Sequence, residues 1–266
     1  MIGTAVAALP WTFQQSGIIL GVLLCFTSFV ISFYTCKLII DMAGTDADYS
    51  DTLKKFYGKP GYYAGLIAPA VLILGAVATM FVTMNQVFYP MILAVYTWTS
   101  GTKVVLKENP TWEWFSSNYT AIILFAVLIA ICSKKDIKIF MKIGSYGVVF
   151  VVMLMLFIIY TGIKALSDTE FSIGTMEESD QSDWAGNKRT LVLFYSNYPQ
   201  LLGVLCAGYF LHTCSLSIVR SSKNPEKNTR DVFIGYFMVF VSYAVCGSLG
   251  YIGFMGTFFA PYFERM

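Results

Sequence analysis

Two apolar segments of this sequence place small residues where a helix is weakest, and both could do chemistry with backbone atoms alone. The first runs from Gly3-Thr4-Ala5 to Leu9-Pro10-Trp11, and the second from Leu202-Gly203 through Ala207-Gly208-Tyr209 to His212, the only histidine. An interrupted helix exposes N–H groups with partial positive charge and carbonyls with partial negative charge. At membrane depth such groups persist only when buried in protein or lining a cavity. Paired interruptions can therefore hold a carboxylate at one helix start and a cation at freed carbonyls. A zwitterionic amino acid offers both charges. Small residues also let helices pack closely without any ligand, which would account for one such segment. Two of them, in the first and sixth of the helices counted below, favour a binding site.

Other chemistry is not encoded. There is no nucleophile paired with a base, no metal-ligand spacing such as C-x-x-C and no cofactor motif, so an enzyme is not expected. The six cysteines (Cys25, Cys36, Cys132, Cys206, Cys214, Cys246) lie in or at the ends of apolar runs. They read as packing residues, not as a disulfide framework.

The elements that must position the two segments follow from charge. Of 266 residues, 56% are hydrophobic and only 13% charged, at a mean hydropathy of +0.64, against about 25% charge in soluble domains. No Asp, Glu, Lys or Arg occurs in residues 1–36, 60–102, 114–133, 143–163, 190–219 or 232–263. A membrane span takes about 20 residues, so the pattern predicts one all-α transmembrane domain over residues 1–266 with about seven helices. Gln14-Gln15-Ser16-Gly17 divides the first run into a short helix and a full span over about 17–41. The run 60–102 could be one long span containing Pro69 and Pro90, or two turning near Asn85-Gln86. As a single span it puts the loops at 41–59, 134–142 and 220–231 on one face, with 12 Lys and Arg against 6 on the other. The basic face is then cytoplasmic. The acidic loop holding Asp168, Glu170, Glu177, Glu178, Asp180 and Asp183 lies opposite, as does Asn118-Tyr119-Thr120, a glycosylation sequon abutting a span. A net charge of +2 gives no general attraction for nucleic acid. No basic n-region of a signal peptide precedes the first helix, and an ammonium at Met1 inside an apolar segment would be costly. About ten residues are expected to precede Met1, from the length a span needs, unless a partner buries that end.

Met1-Ile2-Gly3-Thr4 through Leu9-Pro10-Trp11, with Gln15-Ser16-Gly17 beyond, resembles the first-helix motif of the amino acid/auxin permease family. His212-Thr213-Cys214-Ser215-Leu216-Ser217-Ile218 with Lys223-Asn224-Pro225 is similar to its sixth helix and exit. Tyr243, Gly247 and Gly250-Tyr251-Ile252-Gly253-Phe254-Met255-Gly256 resemble its seventh. The likeness is nearest to the sodium-coupled neutral amino acid transporters, in particular their lysosomal arginine-transporting branch.

The resemblance implies a five-plus-five inverted-repeat permease fold, here incomplete, with helices one and six broken. It implies an amino acid substrate held by Gly3, Thr4 and Ala5 at the first break, by Ala207, Gly208 and Tyr209 at the sixth, and by Asn85 on the third helix. His212 joins this set as a mid-membrane ionisable group, although a hydrogen-bonded packing role is the plainer expectation; Asn85 could equally bond a neighbouring helix. Ser217, Ser221 and the Ala207-Gly208 pair depart from the family pattern and leave the substrate open. Coupling to sodium or protons is implied, but in this fold the eighth helix helps close the sodium site, and the sequence stops after the seventh. No cofactor or metal is expected. The sequence thus predicts either a transporter, working as a symporter in a vacuolar, lysosomal or other endomembrane, or a transport-incompetent relative serving as a structural subunit among other membrane proteins. Plasma or organellar inner membranes are alternatives.

Overall fold

The computed structural model describes residues 5–43, 48–101, 117–132, 137–174, 188–210, 212, 215, 216, 219 and 225–254. Its helices are α1 (Ala5–Ser16), α2 (Ile18–Ala43), α3 (Tyr49–Ser100), α4 (Ser117–Cys132), α5 (Ile137–Asp168), α6 (Pro199–Gly208) and α7 (Asn228–Phe254). Among the described residues, four segments, in α2, α3, α5 and α7, are long and apolar enough to cross a bilayer. The described parts of α1, α4 and α6 have 12, 16 and 10 residues, fewer than a full span. The chain is an all-α, multi-pass membrane protein.

One departure from that class lies in the acidic loop. Strands β1 (Glu170–Gly174) and β2 (Lys188–Val192) pair in parallel, Glu170 opposite Lys188 and Gly174 opposite Val192. A parallel pair needs a long connection, and residues 175–187, which carry Glu177, Glu178, Asp180 and Asp183, fall outside the described residues. The sequence was expected to form a loop there because pairing partners 18 residues apart leave no local signature.

The run after Lys59 forms one helix, not two, and continues through Asn85-Gln86 to Ser100. The break in α3 comes earlier, at Gly58, with φ 67° and ψ −153°. Residues 49–57 before it are helical, which corrects the expectation of a loop over 41–59. Tyr49, Thr52, Leu53, Phe56 and Tyr57 recur at helical spacing there, so a short amphipathic helix was legible.

The chain divides into two compact units, residues 63–143 and residues 1–62 with 144–266. In the first, Tyr89, Leu93 and Leu124 are buried, and the rings of Phe81 and Phe125 meet edge to face at 6.3 Å. Thr120, fully buried, donates its hydroxyl to Asn85 Oδ1 at 2.8 Å. A sequon whose threonine is committed in this way is a poor glycosylation acceptor.

In the second unit α1 is the centre. Val6, Leu9, Thr12, Phe13, Gln14 and Ser16 are all fully buried, as befits a helix apolar on most sides. The glycines of its neighbours make this possible. The Phe13 ring lies against Gly21 of α2 and Gly247 of α7, and Pro10 against Gly250. Further along, phenylalanines of α2 and α7 interleave, with Phe33–Phe233 centroids at 5.2 Å and Phe29–Phe240 at 5.6 Å.

The residues after β2 tie one end of this unit together. Ser16 accepts from the Tyr195 N–H at 2.9 Å, and Leu193 from the Ile19 N–H at 3.1 Å. Asn197 Nδ2 donates to Gln15 Oε1 at 2.9 Å, and the Val192 N–H donates to the Tyr251 hydroxyl at 3.1 Å. The α1–α2 turn, the start of α6 and the end of α7 therefore share an end, opposite to the start of α7 with Arg230. Single cysteines at Lys55 and Ser196 in sealed vesicles should react with a membrane-impermeant maleimide from opposite faces, Lys55 from the cytoplasmic one. Equal labelling of both from one face would overturn the orientation.

Candidate site at the interrupted helices

Helix α1 ends and α6 begins at the tied end, and the two pack against each other inside one cluster that includes Val6, Leu9, Leu201, Leu205 and Tyr209. At a rise of about 1.5 Å per residue, their 12 and 10 residues reach about 15–18 Å inward. Half of a hydrocarbon layer is about 15 Å. Counted from the tied end, the C-terminal edge of α6 is therefore about half a hydrocarbon layer away.

Local sequence explains where α6 starts and stops. Pro199 opens α6 at a position where its missing N–H is not needed. At the other end Tyr209 leaves helical geometry, with φ −92° and ψ 6°. Its N–H still donates to the Leu205 carbonyl at 2.9 Å, and that of Phe210 to Ala207 at 3.4 Å. Residues 212, 215, 216 and 219 are again helical. Within α1, Pro10 has no N–H, so the carbonyl of Val6 lacks its helical donor.

The expected site residues are placed unevenly. Gly3 and Thr4 lie outside the described residues, and Ala5 is the first residue of α1, half-buried. Ala207 and Gly208 form the last turn of α6, so the interruption comes at Tyr209 and Phe210, slightly beyond the expected position. Asn85 belongs to the unit of residues 63–143, where Thr120 bonds it. His212 is half-buried and its Nε2 lies 2.7 Å from Thr35 Oγ1 of α2. That is the hydrogen-bonded packing role. Among the described residues, no three His, Cys, Asp or Glu side chains gather as metal ligands would.

Sequence reasoning named Tyr209 and Tyr243 but missed Tyr236 and the ring cluster the three form around the α6 end. Tyr209 stacks on Tyr236 with centroids 6.1 Å apart and meets Tyr243 edge-on at 5.6 Å. All three are buried. Gly208 is required here, because a Cβ would sit 2.7 Å from the Tyr243 hydroxyl. Among the described residues, the Tyr209 hydroxyl has no hydrogen-bond partner, and neither amide atom of buried Gln14 has one. Tyr236 and Tyr243 stand seven residues apart on α7, two helical turns, which was the available signal.

Comparison with known proteins gives this geometry a family. The chain is 25% identical over 319 residues to the sodium-coupled neutral amino acid transporter 9 homolog of Caenorhabditis elegans, covering 98% of this chain and 48% of that protein. It is 21% identical to neutral amino acid transporter 9 of Xenopus tropicalis, covering 93% and 50%. For the protein of that name in Rattus norvegicus the identity is 23%, covering 96% and 51%. The chain spans about half the length of the curated relatives it matches. Residues 1–257 match the family described as transmembrane amino acid transporter protein, and the chain belongs to that family.

Proposed function

We infer that the chain serves amino acid transport, binding a zwitterionic amino acid between the interrupted ends of α1 and α6. The observation that carries this is the ending of α6 at Gly208, with Tyr209 leaving helical geometry inside the cluster it shares with α1. Carbonyls at the end of α6, together with the Val6 carbonyl left without a donor by Pro10, suit an ammonium group or a coupling cation. By the family resemblance, Gly3, Thr4 and Ala5 would receive the carboxylate. The named relatives are neutral amino acid transporters, one of them sodium-coupled, which supports this class of substrate and sodium as the coupling ion. The sequence likeness to a lysosomal branch supports an endomembrane location.

Thermal unfolding of the purified chain tests the proposal, since a ligand bound to the folded state raises the midpoint. Neutral amino acids should raise it by several degrees, more in sodium than in choline chloride. The matching amines, which lack the carboxylate, should not. Gly208→Val should abolish the response. Equal shifts with the amino acid and its amine would exclude the two-ended site. A response retained by Gly208→Val would move the site away from α6.

A further inference from the structure

We propose that the short helix over residues 49–57, with Lys59 just beyond it, is a binding site for anionic phospholipid in the leaflet that faces the basic loops. The helix segregates its residues cleanly. Tyr49, Thr52, Leu53, Phe56 and Tyr57 share one face, while Ser50, Asp51, Lys54 and Lys55 share the other. Lys54 and Lys55 flank the polar arc on opposite sides. Such lysines lay their stems along apolar surface and lift their charges to the headgroups.

The apolar face is only partly used by the protein. Thr52 is buried, yet Phe56 and Tyr57 are 54% and 72% exposed, and Met42 at the end of α2 is 51% exposed. Between them runs an apolar groove of about 230 Å³, lined by Ile39, Met42, Leu53, Phe56 and Tyr57. It suits part of an acyl chain.

The charges beside the groove suit a phosphate. Lys54 Nζ lies 5.5 Å from the Tyr62 ring centre, which holds its side chain without neutralising it. Asp51 stands in the first helical turn, where the helix dipole favours it. Gly58, at positive φ, turns the chain so that Lys59 follows the helix end directly. Three lysines within six residues thus border an exposed aromatic edge, and the cytoplasmic leaflet is the anionic one.

Native mass spectrometry of the delipidated chain, titrated with phosphatidylserine or phosphatidylcholine, tests the site. Phosphatidylserine should be retained preferentially. At about fivefold per lysine near an anionic surface, the triple variant Lys54→Gln, Lys55→Gln, Lys59→Gln should lose roughly a hundredfold of that preference. Phe56→Ser should weaken both lipids alike and leave their ratio unchanged. Replacing Lys134, Lys135 and Lys138 by glutamine should leave the preference intact. Equal retention of the two lipids by the unaltered chain, or a preference lost with the Lys134 set but kept by the Lys54 set, would overturn the proposal. The outcome does not depend on whether amino acids bind at α1 and α6.

Discussion

Gly17→Ala should destabilise the protein by about 4 kcal/mol, more than the same change at Gly58. Both glycines have positive φ, 81° and 67°, and an alanine costs about 1–3 kcal/mol in such a conformation, at Gly58 because ψ −153° is open essentially to glycine alone. Their surroundings differ. At Gly58 a Cβ would meet nothing within 4 Å, whereas at Gly17 it would lie 2.5 Å from both the carbonyl carbon and the oxygen of Leu193. Backbone held on both sides cannot yield cheaply. Moving Leu193 would stretch the bond from the Ile19 N–H and, two residues on, the bond from Tyr195 to Ser16. Overpacking of this kind adds about 1–3 kcal/mol. Unfolding midpoints in mild detergent for the two variants give the comparison directly. If Gly17→Ala melts no lower than Gly58→Ala, the approach of Leu193 to the α1–α2 turn is wrong, and with it the depth assigned to α6.

The contrast also marks what could be read from sequence. Charge-free runs located α2, α3, α5 and α7 because a bilayer penalises each charge separately, and that penalty is local in sequence. The interruption of α6 was visible for a similar reason, since Gly203 and Gly208 weaken one helix whatever surrounds it. Gly17 was legible as the end of a helix, but not as the seat of Leu193, which is 176 residues further along. Long-range pairings stayed hidden throughout. Ser172 meets Thr190 across β1 and β2, Thr120 bonds Asn85, and Tyr209 stacks on Tyr236. Each residue of these pairs has several acceptable partners in a protein, and only the packed fold chooses one. His212 illustrates the converse. As the only histidine it invited a functional role, yet a threonine on the neighbouring helix gives its ring a hydrogen-bonded place.

The second large effect concerns the seam that joins α1 to α2 and α7. Phe13→Ala should cost about 3 kcal/mol, because the ring is wholly buried and fills the space left by Gly21 and Gly247. In a membrane protein little of this is transfer from water; the loss is mainly of close contacts around a cavity. Gly247→Ala should cost about 1–3 kcal/mol for the opposite reason, since its new methyl would overlap the ring edge. The two changes are complementary in volume. Combined, Phe13→Ala and Gly247→Ala should cost at least 1 kcal/mol less than their sum, as residues sharing one cavity do. Unfolding measurements on the two single variants and the double one decide it. Strict additivity would show that the ring does not sit on Gly247. Coupling would show that α1 is keyed to α7 through Phe13 and Gly247, with Pro10 on Gly250 three residues along α7. Two such contacts on successive turns make α1 and α7 a single packed body. That packing holds the described part of α1 in place beside the end of α6, where the proposed site requires it.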